Sequence, residues 1–216
     1  MNDFERLRAT MVREQLEGRG ITDTAVLQAM RTVPREKFVP KAYQDYAYRD
    51  SPIPITAGQT ISQPYVVAAM LSYLHCQATD RVLEVGTGSG YAAAVLSQMV
   101  ANVFTVERHA QLVELAQARF AELAYENILV KEADGSLGWG AHAPYDGIIV
   151  AACGPKVPRS LQMQLAINGR LIMPVGKRKK QNLVLVQRVG ETQFQQTQLQ
   201  SVRFVPLIGA EGFKEA

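Results

Sequence analysis

Cysteine, histidine and tryptophan are scarce in this sequence. Two cysteines (Cys76, Cys153) and three histidines (His75, His109, His142) stand singly along 216 residues. That spacing supports neither a disulfide framework nor a zinc site, and it points to a reducing cytoplasm and a protein without a bound metal. No apolar run approaches the ~18 residues of a membrane span. The N-terminus mixes both charge signs from Asp3 to Arg8 and has no signal-peptide core. An excess of one charge is missing too. Lys and Arg number 23 against 20 Asp and Glu, a net charge of +3, so nothing electrostatic calls for nucleic acid. Apolar residues make up 47% of the chain, enough at this length to bury a sizeable core without staples. These absences exclude several classes and select no function.

What is present is a change of texture along the chain. Phe4, Leu7, Met11 and Leu16 recur at helical spacing, Gly18-Arg19-Gly20 breaks the pattern, and Thr22 or Asp23 can cap a second helix to Met30. Residues 33–63 lose periodicity and carry Pro34, Pro40, Pro52, Pro54 and Gly58; so long a loop inside a domain is usually either functional or a misread element. Pro64 suits the first turn of a helix over 65–74. From Arg81 onward, strands at 81–85, 103–106, 128–130, 148–151, 170–175, 183–189 and 201–205 alternate at first with helices at 91–99, 110–123 and 158–166. Nearly continuous apolar strands separated by helices predict a doubly wound α/β fold, mostly parallel and covered on both faces. The last three strands have no helices between them and predict an antiparallel end to the sheet.

The sharpest local feature is Glu84-Val85-Gly86-Thr87-Gly88-Ser89-Gly90-Tyr91, which follows a strand and opens a helix. A dinucleotide fingerprint needs glycine at 86, 88 and 91, and position 91 is tyrosine. The Glu-x-Gly-x-Gly-x-Gly form resembles the first motif of S-adenosylmethionine-dependent methyltransferases, whose cofactor has no pyrophosphate for the helix N-terminus. Two acidic residues stand at later strand ends. Glu107, 17 positions after Gly90, can accept ribose hydroxyl protons, and Asp134, in Ala133-Asp134-Gly135, can meet an adenine amino group. Taken singly, Glu107 also reads as a helix N-terminal charge and Asp134-Gly135 as a turn.

The acceptor is narrowed elsewhere. Ala151-Ala152-Cys153-Gly154-Pro155 lacks the Asn/Asp-Pro-Pro-Tyr turn common in enzymes that methylate exocyclic amines of DNA. Cys153 reads as a small buried hydrophobe rather than a nucleophile. The strings Val33-Pro34-Arg35-Glu36-Lys37-Phe38-Val39-Pro40, Tyr48-Arg49-Asp50 and Gly58-Gln59-Thr60-Ile61-Ser62-Gln63-Pro64 closely resemble protein-L-isoaspartate O-methyltransferases. So do Ala143-Pro144-Tyr145-Asp146, the run from Asn168 to Gly176, and Arg203-Phe204-Val205-Pro206-Leu207. The resemblance runs from about residue 5 to 209. Ala133, Thr56-Ala57-Gly58 and Cys153-Gly154 depart from the family's usual residues without removing an acidic or hydroxyl group.

The resemblance implies a Rossmann-like methyltransferase sheet within one domain, 1–216. In it, 1–75 supplies N-terminal helices and the active-site loop, and 76–216 the S-adenosylmethionine-binding core. It implies Ser62 as the active-site hydroxyl that orients the acceptor carboxylate. The cofactor would be held by Gln59, Thr60, Gly86, Thr87, Gly88, Ser89, Gly90, Glu107, Arg108, Asp134 and Gly135. The acceptor it implies is the free α-carboxylate of an isoaspartyl residue in a polypeptide. Such a carboxyl has an unperturbed pKa of about 3.3–3.7 and is already an anion at neutral pH, so no general base is needed. From the residues alone, Ser62 reads as a cap of the helix at Pro64 rather than as a catalytic group. Val205-Pro206-Leu207 is either a strand edge near the substrate or ordinary core. Lys177-Arg178-Lys179-Lys180 reads as a solvated hairpin, and Trp139 as packing for its loop. A monomer is expected. A methyltransferase acting on RNA or a small molecule, and a non-catalytic binding relative, remain as alternatives.

Overall fold

The computed structural model describes residues 3–177 and 180–215. The N-terminal stretch forms α1 (Asp3–Thr10), a wider π-turn over Met11–Leu16, and α2 (Thr24–Thr32). Gly20 takes φ 90°, which ends the first helical run where its glycines predict. Of the two candidate caps, Asp23 serves: its Oδ1 accepts from the backbone N–H groups of Ala25 (3.0 Å) and Val26 (3.1 Å). Residues 33–63 are irregular but ordered, built from 3-10 turns at Arg35–Phe38 and Lys41–Tyr46 and a minimal antiparallel pair, β1 (Ile53–Pro54) and β2 (Thr60–Ile61). Helix α3 (Pro64–Leu74) follows, with Pro64 in its first turn.

The sheet then forms from β3 (Arg81–Val85), β4 (Asn102–Glu107), β5 (Ile128–Glu132), β6 (Tyr145–Val150), β7 (Leu165–Lys177), β8 (Lys180–Arg188) and β9 (Phe194–Val202). Helices α4 (Tyr91–Ser97), α5 (Ala110–Glu122) and α6 (Arg159–Met163) connect the parallel strands. The order is β5-β4-β3-β6-β7-β8-β9, parallel as far as β7 and antiparallel at β8 and β9, as the sequence predicts. The chain reverses direction across the sheet between β3 and β6, and ligands of such sheets bind beyond the carboxyl ends of strands at that switch.

Alternation along β3 divides the core. Val82 joins one apolar cluster with α2, α3, α4 and Phe120 of α5. Leu83 and Val85 join a second cluster with Phe104, Ile148, Leu161 of α6 and Leu207. Complete burial of a side chain such as Leu83 contributes roughly 1.5–3 kcal/mol, so both faces are well covered. Buried side chains of the N-terminal extension, among them Met11, Leu16, Met30 and Phe38, belong to the first cluster. The extension is therefore packed into the sheet's core.

Two elements differ from expectation. The helix predicted over 158–166 stops at Met163, and β7 begins at Leu165. Leu165 pairs with Tyr145, and the register then slips so that Arg170 meets Gly147, with Asn168 at φ 68° inside the bulge. The last strand lies at Phe194–Val202 rather than 201–205, because an exposed edge needs no apolar pattern and its Gln-rich sequence shows none.

Candidate active site

The turn after β3 is held by its own backbone. Gly86, Gly88 and Gly90 take φ of 93°, 53° and 88°, a region costly for residues with a side chain. Gly86 N–H donates to Val106 C=O (2.8 Å), and Gly90 N–H closes the turn onto Thr87 C=O (2.8 Å). Gly90 has a packing task as well, since a Cβ there would lie 2.8 Å from Phe120.

Glu107 ends β4 beside this turn and is only 6% exposed. Its Oε2 accepts from Gly88 N–H (3.0 Å), and its Oε1 from Arg108 N–H (2.8 Å) and His109 N–H (3.1 Å). One carboxylate thus links two strand ends and still borders the cavity. Beneath it, Thr105 Oγ1 lies 2.6 Å from both Glu84 Oε2 and Thr87 Oγ1. Burial pushes the Glu84 carboxyl up to about 8; the Thr105 hydrogen bond opposes the shift and the charge of Glu107 adds to it. Glu84 therefore keeps its proton at neutral pH.

Asp134 is committed differently. Its Oδ1 accepts from Ser136 N–H (2.9 Å) and Oγ (2.7 Å), and its Oδ2 from Ala210 N–H (2.7 Å). Burial raises its pKa, but the hydrogen bonds from Ala210 and Ser136 outweigh that and hold the carboxyl below the usual range. The chain near the C-terminus is pinned there again by Glu211, which accepts from Ser160 N–H (3.0 Å) and Oγ (2.5 Å).

The segment of β1, β2 and Ser62 also lines the cavity, and Ile55 beside it comes close to the turn, 3.7 Å from where a Cβ of Gly88 would lie. Ile55 N–H donates to Gln59 C=O (2.9 Å), which sets the narrow hairpin, and Thr60 follows on β2. Ser62 does not cap α3. The N-cap is Gln63, whose Nε2 donates instead to Asp50 Oδ2 (2.7 Å). Among the described residues Ser62 Oγ makes no hydrogen bond, while its carbonyl accepts from Arg35 Nη2 (2.7 Å).

Between these walls lies a cavity of about 1310 Å³. Gln59, Thr60, Ser62, Gly86, Thr87, Gly88, Ser89, Glu107, Arg108 and Gly135 line it. Asp134 and Gly90 stand behind it, and their neighbours form its surface. Gly135 can border it because a Cβ there would lie 2.5 Å from Val85. Ser62 shares the cavity with Glu107 although 45 residues separate them in sequence. The volume exceeds the ~300–1,000 Å³ common for one small ligand, leaving room for part of a second molecule.

A family profile for protein-L-isoaspartate(D-aspartate) O-methyltransferase matches residues 7–212. The chain belongs to this family. It is 54% identical over 214 residues to protein-L-isoaspartate O-methyltransferase 2 of Pelobacter propionicus, covering 99% of this chain and 95% of that one. It is also 54% identical over 206 residues to the protein-L-isoaspartate O-methyltransferase of Rhodopseudomonas palustris, covering 95% and 94%. A solved protein-L-isoaspartate O-methyltransferase superposes with TM-score 0.86 at 28% identity, over 95% of this chain and 67% of that one. A candidate family enzyme from Plasmodium falciparum, solved with S-adenosyl-L-homocysteine, superposes with TM-score 0.79 at 26% identity, over 96% and 99%.

The rim also holds family-region residues whose sequence signal was slight. Val205, Pro206 and Leu207 border the cavity, with Val205 C=O accepting from Cys153 N–H (2.8 Å) and Leu207 N–H donating to Cys153 C=O (2.7 Å). Ile208 and Phe213 border it too, and nothing in their sequence marked them. Cys153 lies at the floor with its thiol pushed up by burial, the state of a hydrophobe rather than a nucleophile. Trp139 packs edge-on against Phe104, at 6.0 Å and 87°. Of the basic hairpin, Lys177 pairs with Lys180, and Arg178 and Lys179 lie outside the described residues. Among the described residues no group of three or more His, Cys, Asp or Glu could hold a metal ion, and no helix is long and apolar enough to cross a membrane.

Proposed function

We propose that this chain methylates the free α-carboxylate of L-isoaspartyl residues in damaged polypeptides, using S-adenosyl-L-methionine. The observation that supports the reading is the shared cavity, which the glycine-rich turn, Glu107 and Ser62 all line. The residues present fit the cofactor. A turn with three glycines at positive φ brings bare backbone to the cavity, and a buried carboxylate borders it with accepting capacity for ribose hydroxyls. When bound, the cofactor supplies a methyl group on a sulfonium cation.

The work left to the chain is placement. Glu107 would receive the ribose, and the turn from Gly86 to Gly90, with Gln59 and Thr60, would hold the methionine and ribose portions. Gly135 and Arg108 border the adenine end, and Asp134 fixes that end from behind by holding Ser136 and Ala210. Ser62 Oγ, which makes no hydrogen bond among the described residues, is open to hydrogen-bond and orient the acceptor carboxylate. That carboxylate is ionised at neutral pH, so no residue need remove a proton. In-line alignment alone can supply several kcal/mol. Once esterified, the carboxyl is a better acyl electrophile: the following backbone N–H attacks it and methanol leaves, closing a succinimide that water then opens in part to normal aspartate. The same reading has the protein acting in the cytoplasm, as a monomer, on polypeptide rather than nucleic acid.

The test is transfer of labelled methyl from S-adenosylmethionine to an isoaspartyl peptide. The expected product is an ester that releases methanol in mild base. Base-stable label, or label on RNA and none on the peptide, contradicts the reading.

A further inference from the structure

Behind the Ser62 wall lies a charged group that neither the sequence pattern nor the proposed chemistry assigns. Arg35 is fully buried, at 0% exposure. Its Nε donates to Ala47 C=O (2.7 Å) and its Nη2 to Ser62 C=O (2.7 Å). The guanidinium carbon sits 4.7 Å from the centroid of the Tyr91 ring. Among the described residues no carboxylate forms a salt bridge with it, and Nη1 is buried without a hydrogen-bond partner. Arginine cannot shed its charge by deprotonation, and a buried cation with no salt bridge is costly; the Asp50 carboxylate favours its charge only through space.

An apolar side chain would fill this space at lower cost, so packing does not account for the residue. The carbonyls it holds do. Ala47 ends a 3-10 turn, and Ser62 lies between β2 and α3, so neither carbonyl belongs to a helix or sheet ladder. Tyr91 is the first residue of α4, directly after Gly90. One guanidinium therefore touches the segment that presents Ser62 and the helix that opens from the glycine-rich turn. We propose that Arg35 is a positioning residue for methyl transfer, fixing the acceptor wall relative to the donor turn from outside the cavity. The proposal rests on the function given above, because it acts through Ser62. A misplacement of about 1 Å at reacting atoms can lower a rate on the order of 100-fold, so a tether at this position reaches turnover without touching substrate.

The test pairs Arg35→Lys with Ser62→Ala and with Tyr48→Phe as a control. Tyr48 lies in the same extension, where its hydroxyl donates to Glu36 Oε2, and its loss leaves both Arg35 hydrogen bonds in place. Arg35→Lys should lower kcat on an isoaspartyl peptide at least about tenfold while S-adenosylhomocysteine affinity stays within about twofold. In a Ser62→Ala background the same substitution should lower kcat by less than about twofold, since the two residues act through one group. Tyr48→Phe should lower the melting temperature and leave kcat within about twofold. If Arg35→Lys does not fold, Arg35→Gln makes the same comparison. Unchanged kcat in a folded Arg35 variant overturns the proposal. So does an equal loss in Tyr48→Phe, or a fully multiplicative loss with Ser62→Ala. Failure of the functional reading looks different: the wild-type chain itself would then not methylate the peptide.

Discussion

The two walls of the cavity are held by different means. The donor wall stands on the ends of β3 and β4, and its polar groups are tied down on both sides: Glu107 takes three backbone N–H groups, and the side chains of Thr87, Thr105 and Glu84 form one buried chain. The acceptor wall hangs on 3-10 turns and two-residue strands, and the Ser62 hydroxyl, proposed to meet the acceptor, makes no hydrogen bond among the described residues. The sheet fixes the first wall in the manner expected for a ligand bound the same way every turnover. The second is fixed by side chains from a distance, Arg35 on Ser62 and Gln63 on Asp50, leaving its surface free for polypeptides of varied sequence. Donor-wall changes should therefore act on cofactor affinity, and acceptor-wall changes on turnover.

The largest effect expected from that division is at Glu107. Glu107→Ala removes the acceptor for three backbone N–H groups as well as the ribose partner. Affinity for S-adenosylhomocysteine should fall about 100-fold, or roughly 2.7 kcal/mol, by calorimetry. Unchanged affinity would remove Glu107 from the donor wall. Ser62→Ala comes next, with kcat lower by about tenfold and cofactor affinity unchanged. Because Ser62 Oγ makes no hydrogen bond among the described residues, stability should move by no more than about 0.5 kcal/mol. Loss of affinity in this variant would erase the contrast between the walls.

The smallest effect sharpens the donor wall alone. Glu84 has a folded pKa of about 8 against 4.5 for the free carboxyl, so the native state keeps a proton that the unfolded chain releases. The stabilising contribution is full below pH ~4.5, declines as pH rises through ~8, and levels off beyond. Glu84→Gln removes this titration. Its stability relative to wild type, from urea unfolding, should rise between pH 5 and pH 8.5. A difference that stays constant with pH would mean Glu84 is ionised in the fold.

The same contrast governs what the sequence discloses. Glycine at positive φ after an apolar strand is a strong local mark, and Gly86, Gly88 and Glu107 are readable because strand ends locate them. The antiparallel end of the sheet is readable because helices are missing between its strands. The apolar run Leu161-Gln162-Met163-Gln164-Leu165 fits either period, so the boundary between α6 and β7 is hidden, and the bulge at Asn168 has no signature of its own. On the acceptor wall, Ser62 is found through its string, but a single arginine in Val33-Pro34-Arg35-Glu36 gives no sign of burial. Long-range contacts alone bury it. Asp134 shows the reverse limit: its position was readable, while its bond to Ala210, 76 residues away, was not.

On the proposed reading, one wall presents the methyl donor and the other recognises an isoaspartyl carboxylate. The most direct measurement is kcat/KM for a pair of peptides identical except for isoaspartyl or normal aspartyl linkage at one residue. Methyl transfer to the isoaspartyl peptide is expected, and none above background to its isomer. Equal transfer to both, or to neither, would contradict it.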